Sequence, residues 1–340
     1  MYMTSSLNTN RKTRQSNIEL LRIIAMLMVM GIHATFETFG YAHASNILRA
    51  PSSWFGIITT ASACFGCVDI FILITGWFGT NFKIRGALRL ALQVIFISLL
   101  MYPVLYLLGG KMPKNAYDFI QVIWGYWFIR CYLVLYLFTP ILNSFIQASD
   151  EKTLRQFLIL FFAITIPFSF VSPDLSYGYS TTSFMGLYML GRYLRLYASP
   201  RLAATNKYIF FFIWAGCILF MSLLVWSSAF VSVPLLNHLM KIFTSYTNPI
   251  TIFAACNLLL FFTRLSFKSK IVNWLAAGSF AAYLTHQQLY IRPLYFELMR
   301  SINKQISSPI LFFLAALGTI FLIYLASALL DSLRRILIRI

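Results

Sequence analysis

Apolar stretches of about twenty residues recur along the whole of this 340-residue chain. A helix rises ~1.5 Å per residue, so a stretch of that length matches the ~30 Å hydrocarbon core of a bilayer. Composition agrees, with 59% hydrophobic and 11% charged residues, where soluble domains carry roughly 25% charged. So little polar surface excludes a water-soluble globule. The alternation of apolar and polar residues that a transmembrane barrel needs is missing. The expected fold class is therefore all-α, a polytopic integral membrane protein with about ten transmembrane helices. The expected spans are roughly 18–36, 53–79, 86–108, 123–143, 154–172, 182–198, 207–230, 246–263, 271–290 and 309–331. No long linker, low-complexity tract or repeat interrupts them. Residues 17–340 read as one transmembrane domain behind a short cytoplasmic tail, residues 1–16.

The net charge is +18. The basic residues fall between apolar spans and not on a polar domain, which argues against nucleic acid as a partner. With the N-terminus inside, nineteen of the 27 Lys and Arg residues fall on the inner side and seven on the outer, with Arg130 inside a span. Cytoplasmic loops carry the excess of positive charge, so both termini are expected in the cytoplasm. The five cysteines lie inside apolar stretches. Cys64 and Cys67 have C-x-x-C spacing, but no second pair or histidine ligand follows, so they read first as small buried residues and no metal is expected.

The first span carries Arg22 and His33. Charged and imidazole groups are costly in hydrocarbon and mark function there. The eleven positions between them rise ~16 Å, about half the apolar thickness. In the expected topology Arg22 lies near the cytoplasmic face and His33 in the outer half. His286 lies fifteen positions beyond the start of the ninth span, as His33 lies beyond the start of the first, so the two should share a depth. Neutral imidazole can take a proton from a hydroxyl or accept an acyl group. Glu37 follows His33 at i+4 and could orient the ring. Arg22 can snorkel, pair with Glu19, or bind an anionic substrate group.

Other intramembrane polar residues extend this set. Asp69 needs a partner in hydrocarbon, for which Arg22 is a candidate. Arg130 can snorkel outward, pair with Glu37, or shape an acceptor site. Trp124, Tyr126 and Trp127 suit an interfacial aromatic belt or, more sharply, sugar stacking. Lys83, Arg85, Arg89, Arg192 and Arg195 would attract polyphosphate, and they equally satisfy the positive-inside bias. The chain has no Walker loop, dinucleotide fingerprint, serine elbow or H-E-x-x-H motif.

Arg22 and His33 are embedded in Asn17-Ile-Glu-Leu-Leu-Arg-Ile-Ile-Ala-Met26 and its continuation. Val68-Asp-Ile-Phe-Ile-Leu-Ile-Thr-Gly-Trp77 follows, then Lys83-Ile-Arg85. Next come Trp127-Phe-Ile with Tyr136 and Pro140-Ile-Leu-Asn143. Gly186-Leu-Tyr-Met-Leu-Gly-Arg-Tyr193 and Gly278-Ser-Phe-Ala-Ala-Tyr-Leu-Thr-His286 complete the series. This series, over about residues 17–290, resembles the bacterial membrane-bound acyltransferase-3 family, for which ten spans is the usual count. The resemblance implies a multi-pass protein of the bacterial inner membrane. It implies transfer of an acyl group, usually acetyl, from cytoplasmic acyl-CoA to a hydroxyl of an envelope glycan such as O-antigen, capsule or exopolysaccharide. Acetyl-CoA is then the expected donor substrate. His33 carries over as the catalytic histidine, with Glu37 beside it, and Arg22 as an essential residue on the CoA side. Asp69, Lys83, Arg85, Arg89, Arg192 and Arg195 are the expected donor-binding set, and Trp127, Arg130, Tyr283 and His286 the acceptor-binding set. Thr75 stands where the family often has Ser, and Arg130 where it is often neutral. Some relatives carry a fused esterase-like domain, for which this chain is expected to have no room; it would act alone or with a separate glycan-assembly partner. The competing class is a transporter or flippase for a lipid-linked glycan, which also needs polar intramembrane residues.

Overall fold

The computed structural model describes residues 14–172, 175–306 and 308–337. Arg11 and Lys12 of the expected tail lie outside the described residues. Helix accounts for 82% of the structure, with no strand among the described residues. Among the described residues, six helices are long and apolar enough to cross a membrane: Ser16–Phe39, Pro51–Phe78, Ile84–Leu107, Trp127–Ala148, Lys207–Val231 and Leu311–Leu337.

The expected ten spans reduce to these six by length and composition. Glu151–Phe168 has 18 residues, but its first turns carry Glu151, Lys152 and Arg155. Thr181–Tyr193 has 13 residues and continues through a π-turn, Leu194–Ala198, into Ser199–Arg201, a stretch that carries Arg192, Arg195 and Arg201. Pro249–Thr263 has 15 residues, or ~22 Å of helix against a ~30 Å core. The expected span 271–290 is broken at Gly278 into Lys270–Ala277 and Ser279–His286.

The first helix is the axis of the fold. It touches Pro51–Phe65, Cys67–Phe78, Pro249–Thr263, Lys270–Ala277, Ser279–His286, Ile291–Gln305 and Pro309–Leu337. The most apolar windows of the first two spans are 61% buried, against 22–28% for the other four. The first two are therefore interior, and the others present apolar side chains outward, as lipid-facing helices do.

Side chains pin the first helix at both ends. Near its start, Ser16 Oγ accepts from the Ser269 backbone N–H at 2.9 Å, and Asn17 Nδ2 donates to the Phe262 carbonyl at 3.0 Å. Towards its far end, the Tyr295 hydroxyl donates to the Met30 carbonyl at 2.8 Å. Since lipid is as apolar as leucine, close backbone approach through small residues drives helix pairing in membranes. Cys67–Phe78 and Thr181–Tyr193 meet in this way. A Cβ on Gly76 would strike the Tyr188 carbonyl oxygen, and one on Gly191 would strike that of Leu73. Gly79 then ends its helix in the left-handed region at φ +67°, with Arg192 against it.

Candidate active site

Arg22 lies one turn beyond Glu19, and its Nη1 donates to Glu19 Oε1 at 3.0 Å. The Glu19 side chain is 8% exposed and that of Arg22 34%, so the pair is anchored on the inside and open on the arginine side. The guanidinium also lies 5.8 Å from the Phe78 ring centre. Arg195 shares that ring from 5.7 Å and donates to the Trp77 carbonyl at 2.9 Å. Two cations therefore converge on one aromatic side chain at this end of the first helix.

His33 lies eleven positions further along. Its Nδ1 is 3.1 Å from His286 Nε2 and 2.9 Å from the Gln287 side-chain nitrogen, Nε2. The expectation of a shared depth is met by direct contact. His286 in turn donates from Nδ1 to the Ala282 carbonyl at 2.6 Å. The helix carrying it is held by its neighbours: Tyr126 donates to the Leu284 carbonyl at 2.9 Å, and Thr285 meets Ser327 at 2.6 Å.

Arg22 and His33 line a single cavity of about 360 Å³. Met26 and Val29, spaced one helical turn apart between them, line it too. Thr75, Gln93, Tyr132 and Ser279 add polar groups to an otherwise apolar and aromatic wall. The arrangement offers a cationic mouth, a long apolar conduit with scattered hydrogen-bonding groups, and an imidazole deep within. It suits a substrate with an anionic head and a slender reactive arm.

The family model for the acyltransferase domain matches residues 15–328. The chain belongs to the acyltransferase-3 family. No curated protein and no solved structure matches it. Membership makes the chain an acyltransferase acting on some acceptor, and the apolar helices make it a multi-pass membrane protein.

Several residues of the acyltransferase stand elsewhere than expected. Glu37 is exposed, and the hydrogen bonds of His33 among the described residues go to His286 and Gln287 instead. It lies on an open face of the helix, while its neighbours Phe36 and Phe39 pack against Phe65 and Phe312. Asp69 does not pair with Arg22. It is fully buried, with both carboxylate oxygens unpartnered. It is nine positions from Phe78, ~13 Å along its helix, whereas Arg22 meets Phe78 itself. Val68, Phe71 and Thr75 of the same helix line the cavity, and Asp69 does not. His286, expected against the acceptor, is 1% exposed and stands behind His33, outside the cavity wall. Arg130 is exposed and makes no ion pair among the described residues.

Of the remaining expected residues, Trp127 and Tyr283 line the cavity. Trp127 stacks with Tyr246 at 5.9 Å between ring centres. Lys83, Arg85 and Arg89 are exposed at the start of the helix that sends Leu90 and Gln93 into the cavity wall. Arg192 is half-buried beside Gly79. Sequence reasoning missed Gln287, Gln93 and Tyr132. Tyr132 lies one turn from Phe128, a spacing that extends the aromatic face of that helix. Gln93 gave no signal of its own: its amide donates to the buried Asp331 at 2.9 Å, a partner far along the chain.

Proposed function

We propose that this protein transfers an acetyl group from cytoplasmic acyl-CoA to a hydroxyl of an envelope glycan on the opposite side of a bacterial inner membrane. One observation supports this above the others: Arg22 and His33 line the same cavity, ~16 Å apart along one helix. With both termini inside, as the basic-residue bias argues, Arg22 faces the cytoplasm.

In this proposal Arg22 and Arg195 hold the phosphates of the donor, a contact of charge-assisted hydrogen bonds suited to arginine. Lys83, Arg85, Arg89 and Arg192 raise the local concentration of a polyanion at the same face. Thr75, Gln93 and Tyr132 offer hydrogen bonds along the conduit, whose apolar walls keep water from the thioester. Trp127 and Tyr283 present aromatic faces to the acceptor sugar, with Arg130 outside them.

His33 Nε2 then takes the proton of the acceptor hydroxyl. The oxygen forms a bond to the thioester carbonyl carbon, the C–S bond breaks, and the imidazolium returns the proton to the leaving thiolate. Alternatively, His33 Nε2 attacks the carbonyl itself, the C–S bond breaks and the thiolate leaves. The acceptor hydroxyl then attacks the acyl-imidazolium, the C–N bond breaks to restore the neutral imidazole, and the hydroxyl proton passes to the thiolate. Mass spectrometry of protein incubated with acetyl-CoA alone separates the two: an acetyl adduct on His33 favours the relay.

The decisive test compares the envelope glycan by NMR in cells with wild-type protein, with the His33→Ala variant, and without the chain. Loss of an O-acetyl signal in the last two supports the proposal and names the acceptor. Unchanged acetylation overturns it. No consumption of acyl-CoA, together with measurable movement of lipid-linked glycan in vesicles, favours the transporter reading.

A further inference from the structure

We propose that His286 is the positioning residue that sets the tautomer of His33, and that it does not bind acceptor. The inference rests on the role proposed above for His33.

A carbonyl oxygen can only accept, so the 2.6 Å contact with Ala282 fixes the proton of neutral His286 on Nδ1. Its Nε2 is left with a lone pair. That lone pair points at His33 Nδ1 from 3.1 Å. If His33 Nδ1 were also unprotonated, it could accept from the Gln287 amide, but His286 Nε2 would be left facing a second lone pair, a buried unmade hydrogen bond. The contact is satisfied when His33 carries its proton on Nδ1 and donates it to His286. The structure sets Gln287 Nε2, a donor, 2.9 Å from the same nitrogen; with His33 protonated on Nδ1 the amide is flipped so that its oxygen accepts, an exchange of O and N that the hydrogen-bond network decides.

The consequence falls on the other ring nitrogen. His33 Nε2 must carry the lone pair, and it has no hydrogen-bond partner among the described residues. The residue lines the cavity, so this nitrogen is the one free to act as base or nucleophile. When it takes a proton, the imidazolium still donates from Nδ1 to His286. The chain Ala282, His286, His33 therefore does for this histidine what a hydrogen-bonded orienting group does for catalytic histidines in general.

The test is ¹⁵N NMR of the full chain in lipid nanodiscs, with ring-labelled histidine. The His33→Gln variant assigns the His33 signals against those of the three other histidines. We expect His33 protonated on Nδ1 and bare on Nε2 in the wild type. His286→Phe is expected to move that proton to Nε2 and to lower acyl transfer roughly 10²–10⁴-fold, with the KM for acyl-CoA unchanged. His286→Gln, whose side-chain oxygen can accept from Nδ1–H, is expected to recover part of the rate and the original tautomer. A wild-type His33 protonated on Nε2 overturns the proposal, and needs no variant to fold. So does an unchanged tautomer in a folded His286→Phe protein. If instead the tautomer is as expected but His33→Gln transfers acyl groups normally, the role of His33 fails and the assignment of its proton stands.

Discussion

His33 Nδ1 and His286 Nε2 face each other across 3.1 Å although 253 positions separate them in the chain. One belongs to the central helix and the other to the end of Ser279–His286, a helix held by Tyr126 and Ser327. Two elements from opposite ends of the sequence thus meet at the deep end of the cavity.

Replacing His33 by glutamine should remove acyl transfer while sparing the donor site. We expect turnover to fall roughly 10²–10⁴-fold with acyl-CoA affinity unchanged. Steady-state rates with labelled acetyl-CoA and equilibrium binding to the same preparation check both parts.

Arg22 should act on donor binding. Hydrogen bonds to charged groups contribute ~1.5–3 kcal/mol, so Arg22→Ala is expected to weaken acyl-CoA binding about 10–100-fold. Arg22→Lys should recover only part, because lysine keeps the charge and loses the planar fork. Calorimetric titration of the nanodisc-embedded protein measures both. Equal affinities for wild type and Arg22→Ala would remove Arg22 from the donor site.

The cavity can be closed from its wall. Ala277 lines it and is not fully buried, so Ala277→Phe should push a ring into the conduit with little disturbance of the packed core. The expected result is a protein that melts within a few degrees of wild type yet loses most of its activity. A fully active Ala277→Phe protein would show that the donor arm runs elsewhere.

Gly76 should be intolerant of a single methyl group. Its Cβ would strike backbone and not a side chain that can swing away, so Gly76→Ala is expected to cost ~1–3 kcal/mol or more. Ile72→Val, on the same helix and fully buried, should cost only ~0.5–1.5 kcal/mol. Thermal melting of the two variants side by side tests the order.

The helical class, the intramembrane histidines and their shared depth were legible because each depends on local quantities: run length, rise per residue and position from a span end. What failed depends on helix rotation and on partners far along the chain. The segment around Asp69 is apolar on every side, so no stripe shows which way the carboxylate turns. It turned into the core, and Arg22 took Glu19, a partner one turn away. Only six of the ten expected spans stand as single long apolar helices among the described residues, for a related reason. Gly278 interrupts an apolar run without changing its hydropathy, and the helix that starts at Thr181 passes through a π-turn and carries Arg192, Arg195 and Arg201 in its last turns.

Arg22 and His33 belong to one uninterrupted helix, Ser16–Phe39. Their separation is therefore a count of residues, and no hinge lies between them to adjust it. In the proposed reaction the first helix would act as a ruler for the donor: an arm that reaches from phosphate to thioester over the same interval would be read, and a truncated one would deliver its carbonyl short of the imidazole. Inserting one residue between the two would lengthen the ruler by ~1.5 Å and swing one end by about 100°, taking His33 away from His286 at a stroke.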